Sequence, residues 1–215
     1  MRSKLFITII LFLATSVSSP VFSASDALYT LVQKQFYSAY RNICSSIDVG
    51  KDGNLVKPEV FDLQFNYSYE EADAPKNNFT LYVFPCVAGP FNSGSVLYGF
   101  EEGAEQINQL HFAEPEYDID FTDDTFEEVT DIRLRGFSST NTLFNLSVDP
   151  ENNTIYSITK WRRMADASAS GIWKFERGRF VLKSFDVDAT YDDQINPVRI
   201  WGEGEPPESK SAVGD

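Results

Sequence analysis

Residues 160–201, KWRRMADASASGIWKFERGRFVLKSFDVDATYDDQINPVRIW, contain the pattern that decides the fold. A polar tetrapeptide at residues 176–179 separates two apolar arms, and its Gly178 allows the positive φ angle that a tight turn needs. The large apolar residues of the arms are Ile172, Trp173 and Phe175 before the turn and Phe180, Leu182 and Phe185 after it. This arrangement predicts a β-hairpin.

An earlier stretch has a similar sequence. Residues 98–118 and residues 173–192 both contain the pattern aromatic-x-Phe-Glu-x-Gly, followed by an apolar segment and an acidic end with Tyr-Asp. The similarity predicts that the chain is built in part from two hairpins of the same design.

The rest of the chain contains one helix signal followed by strand signals every 8–12 residues. Apolar residues recur at three- and four-residue spacing over residues 26–47, after an N-cap predicted at Ser25 and Asp26. Alternating apolar residues and turn sequences then continue to Trp201. The pattern predicts a mainly β (α+β) fold, an antiparallel β-meander that forms a sandwich or an open barrel, with one N-terminal amphipathic helix.

The two ends of the chain differ in composition from its centre. Residues 1–24 have the charge, apolar run and small residues of a signal peptide, with Val21 and Ser23 placed for cleavage. Residues 203–215 are rich in Pro, Gly and charge, which predicts a disordered tail. We therefore expect a single β-rich domain over residues 25–202, without an integral membrane segment, in the periplasm or secreted.

The charge of the chain excludes some partners. Its formal net charge is −14, and this becomes −16 once Arg2 and Lys4 leave with the signal peptide. Such a field repels phosphate backbones, so nucleic acid is not an expected partner. An envelope protein or a glycan is compatible with this charge.

The two cysteines, Cys44 and Cys86, have neither a CxxC partner nor a neighbouring histidine. In an exported protein we interpret them as one structural disulfide rather than as a metal site or a reactive thiol.

Catalytic motifs are weak in this sequence. His111 is the only histidine, and we expect it on a solvated strand face. Paired carboxylates could supply the acid and base of a carbohydrate-active hydrolase. The candidate pairs are Glu101/Glu102, Glu114/Glu116, Asp118/Asp120, Asp123/Asp124 and Glu127/Glu128. We predict no catalytic residue and no cofactor, with the hydrolase as an alternative.

Two segments resemble calcium-binding sequences. Residues 48–59 match an EF-hand loop at five positions, but Gly50 replaces a ligand and a strand pattern follows. The acidic residues of segment 114–131 also offer oxygen ligands close together. We predict no metal site, and a calcium-stabilised envelope protein is a second alternative.

Three segments resemble a family of exported bacterial proteins known as "domain of unknown function 1176". The family pattern Gly-Asp-Cys-Gly-x-Ser-Gly-x-Trp-x-Trp/Phe-x-x-x-x-Phe-x-Leu resembles residues 165–182. Its Cys-x-x-Gly-x-Tyr-Asn segment resembles residues 86–92, and its closing proline-aromatic strand resembles residues 197–201. The resemblance implies a β-rich fold in the bacterial envelope and no established activity, catalytic residue or cofactor.

The chain departs from that family pattern at one cysteine pair. Ala167 stands where the family has a cysteine, and the partner expected near Ala189 or Thr190 is absent as well. The polar residues beside this position are Arg162, Arg163 and Asp166, which we consider candidate interaction residues. We predict an exported protein that acts as a non-enzymatic binding or structural module of the envelope.

Overall fold

The computed structural model describes residues 24–44, 55–71 and 73–204. These residues form one helix, α1 (Ala24–Tyr40), and twelve strands. The strands are β1 Glu59–Phe65, β2 Asn77–Ala88, β3 Ser93–Glu101, β4 Asn108–Gln109, β5 Phe112–Phe121, β6 Val129–Thr140, β7 Thr142–Phe144, β8 Ser147–Asp149, β9 Thr154–Lys160, β10 Ser168–Glu176, β11 Arg179–Asp188 and β12 Val198–Gly202. The predicted mainly β fold with one helix is confirmed.

The strands form two five-stranded sheets and a separate hairpin, all antiparallel. The first sheet has the order β1-β2-β3-β4, with β7 also paired to β3. The second sheet has the order β12-β11-β10-β9-β8, and β5 pairs with β6 outside both sheets. The two sheets pack face to face as a sandwich, with α1 on the outer side of the first sheet.

The main core lies between the two sheets. Phe79, Leu81 and Val83 of β2 are among its buried residues, together with Trp173 and Phe175 of β10. Because side chains alternate along a strand, Tyr82, Phe84 and Cys86 of β2 point the other way, toward α1. Burying one such large side chain contributes about 1.5–3 kcal/mol.

The predicted hairpin is confirmed as β10 and β11. Glu176 pairs with Arg179, which leaves a two-residue turn. Arg177 has a φ of 55° and Gly178 a φ of 79°, the two positive values that a type I′ turn requires. Trp173 of this hairpin donates a hydrogen bond from Nε1 to the carbonyl of Ala113 at 3.0 Å.

Gly171 lies against the Trp173 ring. A Cβ atom at Gly171 would lie 2.3 Å from Cη2 of Trp173, so even alanine does not fit without displacing the ring. Gly136 of β6 is different, because a Cβ atom there would have no neighbour within 4 Å. The size of residue 171 is therefore fixed by the packing of the main core.

The two similar stretches of sequence fold differently, so the predicted repeat is wrong beyond its turn. Gly103 has a φ of 88° and matches Gly178 as the turn glycine. After it, however, only the two residues of β4 pair with β3, and the next strand, β5, pairs with β6. The chain leaves the first sheet because Phe112 enters the main core, where its ring centroid lies 5.9 Å from that of Trp173.

Helix α1 is shorter than predicted. It begins at Ala24, so Ser25 and Asp26 lie within it, and it ends at Tyr40 instead of residue 47. A turn follows, in which the amide of Cys44 donates to the carbonyl of Tyr40 at 2.9 Å. This turn brings Cys44 back toward the sheet. Residues 45–47 and the predicted tail from residue 205 lie outside the described residues.

Candidate functional site

An open groove of about 660 Å³ lies on the helix side of the first sheet, beside the first turns of α1. We call it the sheet groove. Its lining residues come from α1, β1, β2 and the end of β3: Leu28, Asp62, Gln64, Asn78, Thr80, Phe100, Glu102 and Gly103. Its volume lies within the range of about 300–1,000 Å³ that is usual for small-molecule sites.

The side chains of the groove share one face because their strands are antiparallel and in register. Asp62 lies opposite Thr80, and Gln64 lies opposite Asn78, on β1 and β2. Phe100 of β3 lies opposite Thr80 on the other side of β2. Since alternate residues of a strand point to the same side, these five side chains form two short rows across the sheet.

A change of polarity along β2 creates the groove. Tyr82, Phe84 and Cys86 are buried beneath α1. On the same side of the strand, Asn78 is exposed and Thr80 is half-buried. The helix therefore covers the apolar part of this face and leaves its polar part open.

Hydrogen bonds connect the polar side chains to one another. Gln64 Nε2 donates to Asn78 Oδ1 at 3.3 Å, and Asn78 Nδ2 donates to Glu102 Oε2 at 2.7 Å. Thr80 Oγ1 donates to Asp62 Oδ1 at 3.3 Å. Within the described residues, Asp62 Oδ2, Gln64 Oε1 and Glu102 Oε1 make no further hydrogen bond. The groove thus has side chains that are linked to one another and acceptor oxygens left for a ligand.

The turn after β3 fixes Glu102 at the end of the groove. The Glu102 amide donates to the carbonyl of Asn78 at 3.0 Å, and Gly103 adopts the positive φ of the turn. Glu101 is used on the other side of the sheet, where it accepts a 2.7 Å hydrogen bond from the hydroxyl of Tyr67. This bond raises the pKa of Tyr67 to about 12. The predicted pair Glu101/Glu102 is therefore divided between the two faces of the sheet.

The groove has a negative character. Two carboxylates, those of Asp62 and Glu102, line it, and the described residues that line it include no lysine or arginine. The whole chain has a formal net charge of −14. Both features disfavour an anionic ligand, because each phosphate or carboxylate of a ligand would lose its hydration without gaining a cationic partner.

The predicted disulfide is confirmed. Cys44 and Cys86 are joined with their Cα atoms 4.4 Å apart. Both are buried in the cluster between α1 and the first sheet. The bond fixes the end of α1 to β2, and α1 supplies Leu28 to the wall of the groove.

Arg162 and Asp166, two of the candidate interaction residues, bind each other. Asp166 is 0% exposed and Arg162 33% exposed, and Arg162 Nε donates to Asp166 Oδ1 at 2.6 Å. Arg162 also forms an ion pair with Asp193 at 2.8 Å and lies 5.3 Å from the centre of the Tyr191 ring. The Asp193 amide donates to Asp166 at 3.0 Å. These contacts join two loops that flank the β10–β11 hairpin.

Arg163, Ala167 and Ala189 lie beside this ion pair in the chain. Arg163 is exposed. The last pair of the β10–β11 ladder is Ser168 with Asp188; Ala167 directly precedes β10 and Ala189 directly follows β11. Both alanines are buried. Arg162 and Asp166 thus form a structural contact, and Arg163 is exposed beside it. None of the three residues lines the sheet groove.

The acidic residues that we considered as calcium ligands lie on the β5–β6 hairpin. Arg135 forms an ion pair with Asp118, and Arg133 forms ion pairs with Asp120 and Asp131. The hydrogen bond from Arg133 lowers the pKa of Asp120. In the part of the chain that the structure describes, no group of three or more His, Cys, Asp or Glu residues is placed to hold a metal ion.

The EF-hand-like segment falls mostly outside the described residues, which resume at residue 55. Its last position, Glu59, begins strand β1. An EF-hand would need a helix at this position, so the described end of the segment does not have that geometry.

The remaining carboxylates and the histidine lie apart from the sheet groove. Glu114 borders a separate cavity of about 110 Å³ beside Trp173, and burial raises the pKa of its carboxyl. Asp123 accepts hydrogen bonds from the amide and hydroxyl of Thr125, which lower its pKa. His111 is exposed, as predicted, but it lies between β4 and β5 and not on a strand.

Sequence reasoning missed Asp62, Gln64, Asn78 and Thr80. Their alternation with buried residues is also typical of an ordinary solvated strand face. Their role depends on how far α1 extends over the sheet, and the sequence pattern does not show this extent.

Comparisons with protein-family models, with curated proteins and with solved structures return no match for this chain. Among the described residues, no helix has the length and apolar character that a membrane span requires.

Proposed function

We propose that this protein is an exported, non-enzymatic module that binds a component of the cell envelope in the sheet groove. The observation that carries the proposal is the groove itself: polar side chains are linked by mutual hydrogen bonds on a sheet that a disulfide joins to the segment after α1. Sites on strands keep their geometry better than sites on loops, which suits specific binding.

The disulfide supports a location outside the reducing cytoplasm, because such bonds persist in oxidising compartments. The predicted signal peptide and the resemblance to an exported bacterial family support the periplasm or the extracellular space. We therefore propose a periplasmic or secreted protein.

A binding role is favoured over catalysis by the way the carboxylates are used. Glu101 accepts a hydrogen bond from Tyr67, while Asp118 and Asp120 form ion pairs with arginines. A carbohydrate-active hydrolase is the second candidate, because Asp62 and Glu102 both line the groove. Asp62→Asn and Glu102→Gln would abolish turnover if these two groups were acid and base.

Binding of the purified protein to an isolated envelope fraction tests the proposal. Asn78→Ala removes the amide that connects Gln64 and Glu102 within one row of the groove, and we expect it to weaken binding at least fivefold. Glu59→Ala is the matched control, since Glu59 is exposed at the start of β1 and does not line the groove. Equal binding by the two variants would contradict the proposal.

Calcium stabilisation is tested separately. We expect the same melting temperature in excess calcium and in chelator, because the acidic residues of the β5–β6 hairpin already have arginine partners. A higher melting temperature in calcium would support the calcium-stabilised alternative.

A further inference from the structure

The sheet groove combines three kinds of recognition group. It has two carboxylates that only accept hydrogen bonds, two amides and one hydroxyl that both donate and accept, and one aromatic ring. The ring is that of Phe100, and its neighbour across the strand pair is Thr80. A ligand for this site needs many hydroxyl or amine donors, some acceptors and a flat apolar face.

A neutral ligand fits these groups better than a cationic one. Each carboxylate already accepts a hydrogen bond on one oxygen, Asp62 from Thr80 and Glu102 from Asn78. An ammonium group has donors only, so it could not accept from the amides of Gln64 and Asn78. A hydroxyl group both donates and accepts, and can therefore bind all of these side chains.

The spacing of the rows also suits a ligand with closely spaced hydroxyl groups. Neighbouring side chains across the strands are about 5 Å apart, and alternate residues along one strand are about 7 Å apart. Gln64, Asn78 and Glu102 form one row, and Asp62, Thr80 and Phe100 form the other.

We propose that the sheet groove binds a neutral oligosaccharide, an inference that rests on the binding function proposed above. Phe100 contacts the apolar face of one sugar ring. Asp62, Gln64 and Glu102 use their remaining oxygens to accept hydrogen bonds from sugar hydroxyls. Leu28 of α1 closes the groove on the helix side.

Isothermal titration of the purified protein tests this inference with defined probes. The neutral probes are cellohexaose, maltohexaose and chitohexaose; hexalysine and hexagalacturonate are the cationic and anionic probes. We expect at least one neutral hexasaccharide to bind, and both charged probes to bind at least tenfold more weakly than it does.

Variants then place the binding in the groove. Phe100→Leu keeps apolar volume but removes the aromatic ring, and we expect about a fivefold loss of affinity. Gln64 is exposed, so we expect Gln64→Ala to fold like the unchanged protein. The substitution removes one hydrogen-bonding partner of the ligand, and we expect about a three- to tenfold loss of affinity. Glu59→Ala is expected to bind within twofold of the unchanged protein.

Three results overturn the inference: no binding of any neutral hexasaccharide, tighter binding of hexalysine, or sugar binding that Phe100→Leu and Gln64→Ala do not change. The envelope experiment separates this inference from the proposed function. If Asn78→Ala weakens envelope binding but no neutral hexasaccharide binds, the ligand class is wrong and the binding function stands. If the envelope fraction also binds independently of Asn78, both proposals fail.

Discussion

Removing the disulfide by the double substitution Cys44→Ala and Cys86→Ala tests how the helix layer is held. The cross-linked residues are 42 positions apart, which corresponds to about 4 kcal/mol of lost entropy in the unfolded chain. Both cysteines are buried among apolar residues, and alanine introduces no polar group there. We therefore expect the free energy of unfolding to fall by about 4 kcal/mol.

Urea and thermal unfolding, followed by circular dichroism, measure this change. For a domain of this size, 1 kcal/mol shifts the melting temperature by about 2–4 °C, so the expected decrease is about 8–16 °C. A reducing agent should give the unchanged protein the same loss and should leave the double variant unaffected. Mass spectrometry after alkylation confirms that the thiols of the unchanged protein are oxidised.

A decrease below about 1 kcal/mol, in a protein whose disulfide is shown to be formed, would refute the reasoning. It would mean that the unfolded chain keeps structure that restrains the segment between Cys44 and Cys86 without the bond. The same comparison made with Cys44→Ala alone separates loss of the cross-link from exposure of a free thiol.

Three further predictions concern packing, a buried ion pair and pH. Gly171→Ala displaces the Trp173 ring and should lower the free energy of unfolding by about 1–3 kcal/mol with a shift in tryptophan emission, while Gly136→Ala should stay within about 0.5 kcal/mol. Asp166→Asn removes the buried carboxylate that binds Arg162, which is 33% exposed and keeps its ion pair with Asp193, and should cost about 1–3 kcal/mol in urea unfolding; a loss below about 0.5 kcal/mol would contradict the buried pairing. Burial raises the pKa of Glu114 in the folded state. The protein therefore loses stability as the pH rises from the pKa of this carboxyl in the unfolded chain through its pKa in the folded protein, and it loses none below the pKa of the unfolded chain. Glu114→Gln should therefore be more stable than the unchanged protein at pH 7 and equally stable near pH 3; a gain that is the same at both values would contradict this cause.

The local parts of the fold could be predicted because short-range chemistry decides them. The apolar residues around Gly178 face one side at period two, and the glycine permits the turn, so the β10–β11 hairpin follows from sequence. The disulfide was predicted from the count of two cysteines together with a predicted export signal. The similarity between residues 98–118 and 173–192 wrongly predicted two hairpins of the same design, because the two stretches share only the conformation of the turn glycine. Phe112 then enters the main core, and that long-range packing decides which strands pair.

The groove could not be predicted because it depends on three elements that are distant in sequence. Asp62, Asn78 and Phe100 come together through the register of β1, β2 and β3, which sequence alone does not fix. The opening also depends on which part of the sheet α1 covers. A single strand pattern shows only that one face of each strand is polar.

The Arg162 contact changes the interpretation of the region that sequence reasoning selected. The family pattern proposed from the sequence has a cysteine at the position of Ala167 and a partner near Ala189 or Thr190. Ser168 and Asp188 form the last pair of the β10–β11 ladder, and Ala167 and Ala189 are the next residues along the two segments. Arg162 joins the same two segments through Asp166 and Asp193. A disulfide stabilises a protein mainly because it restrains the unfolded chain. An ion pair in this position does not cross-link the unfolded chain, so it stabilises the protein only through its contacts in the folded state. Unlike a disulfide, it also requires that both groups are charged. Arg162 and Asp166 are therefore better explained as the residues that hold the ends of the hairpin together than as an interaction surface, and the search for a ligand belongs at the sheet groove.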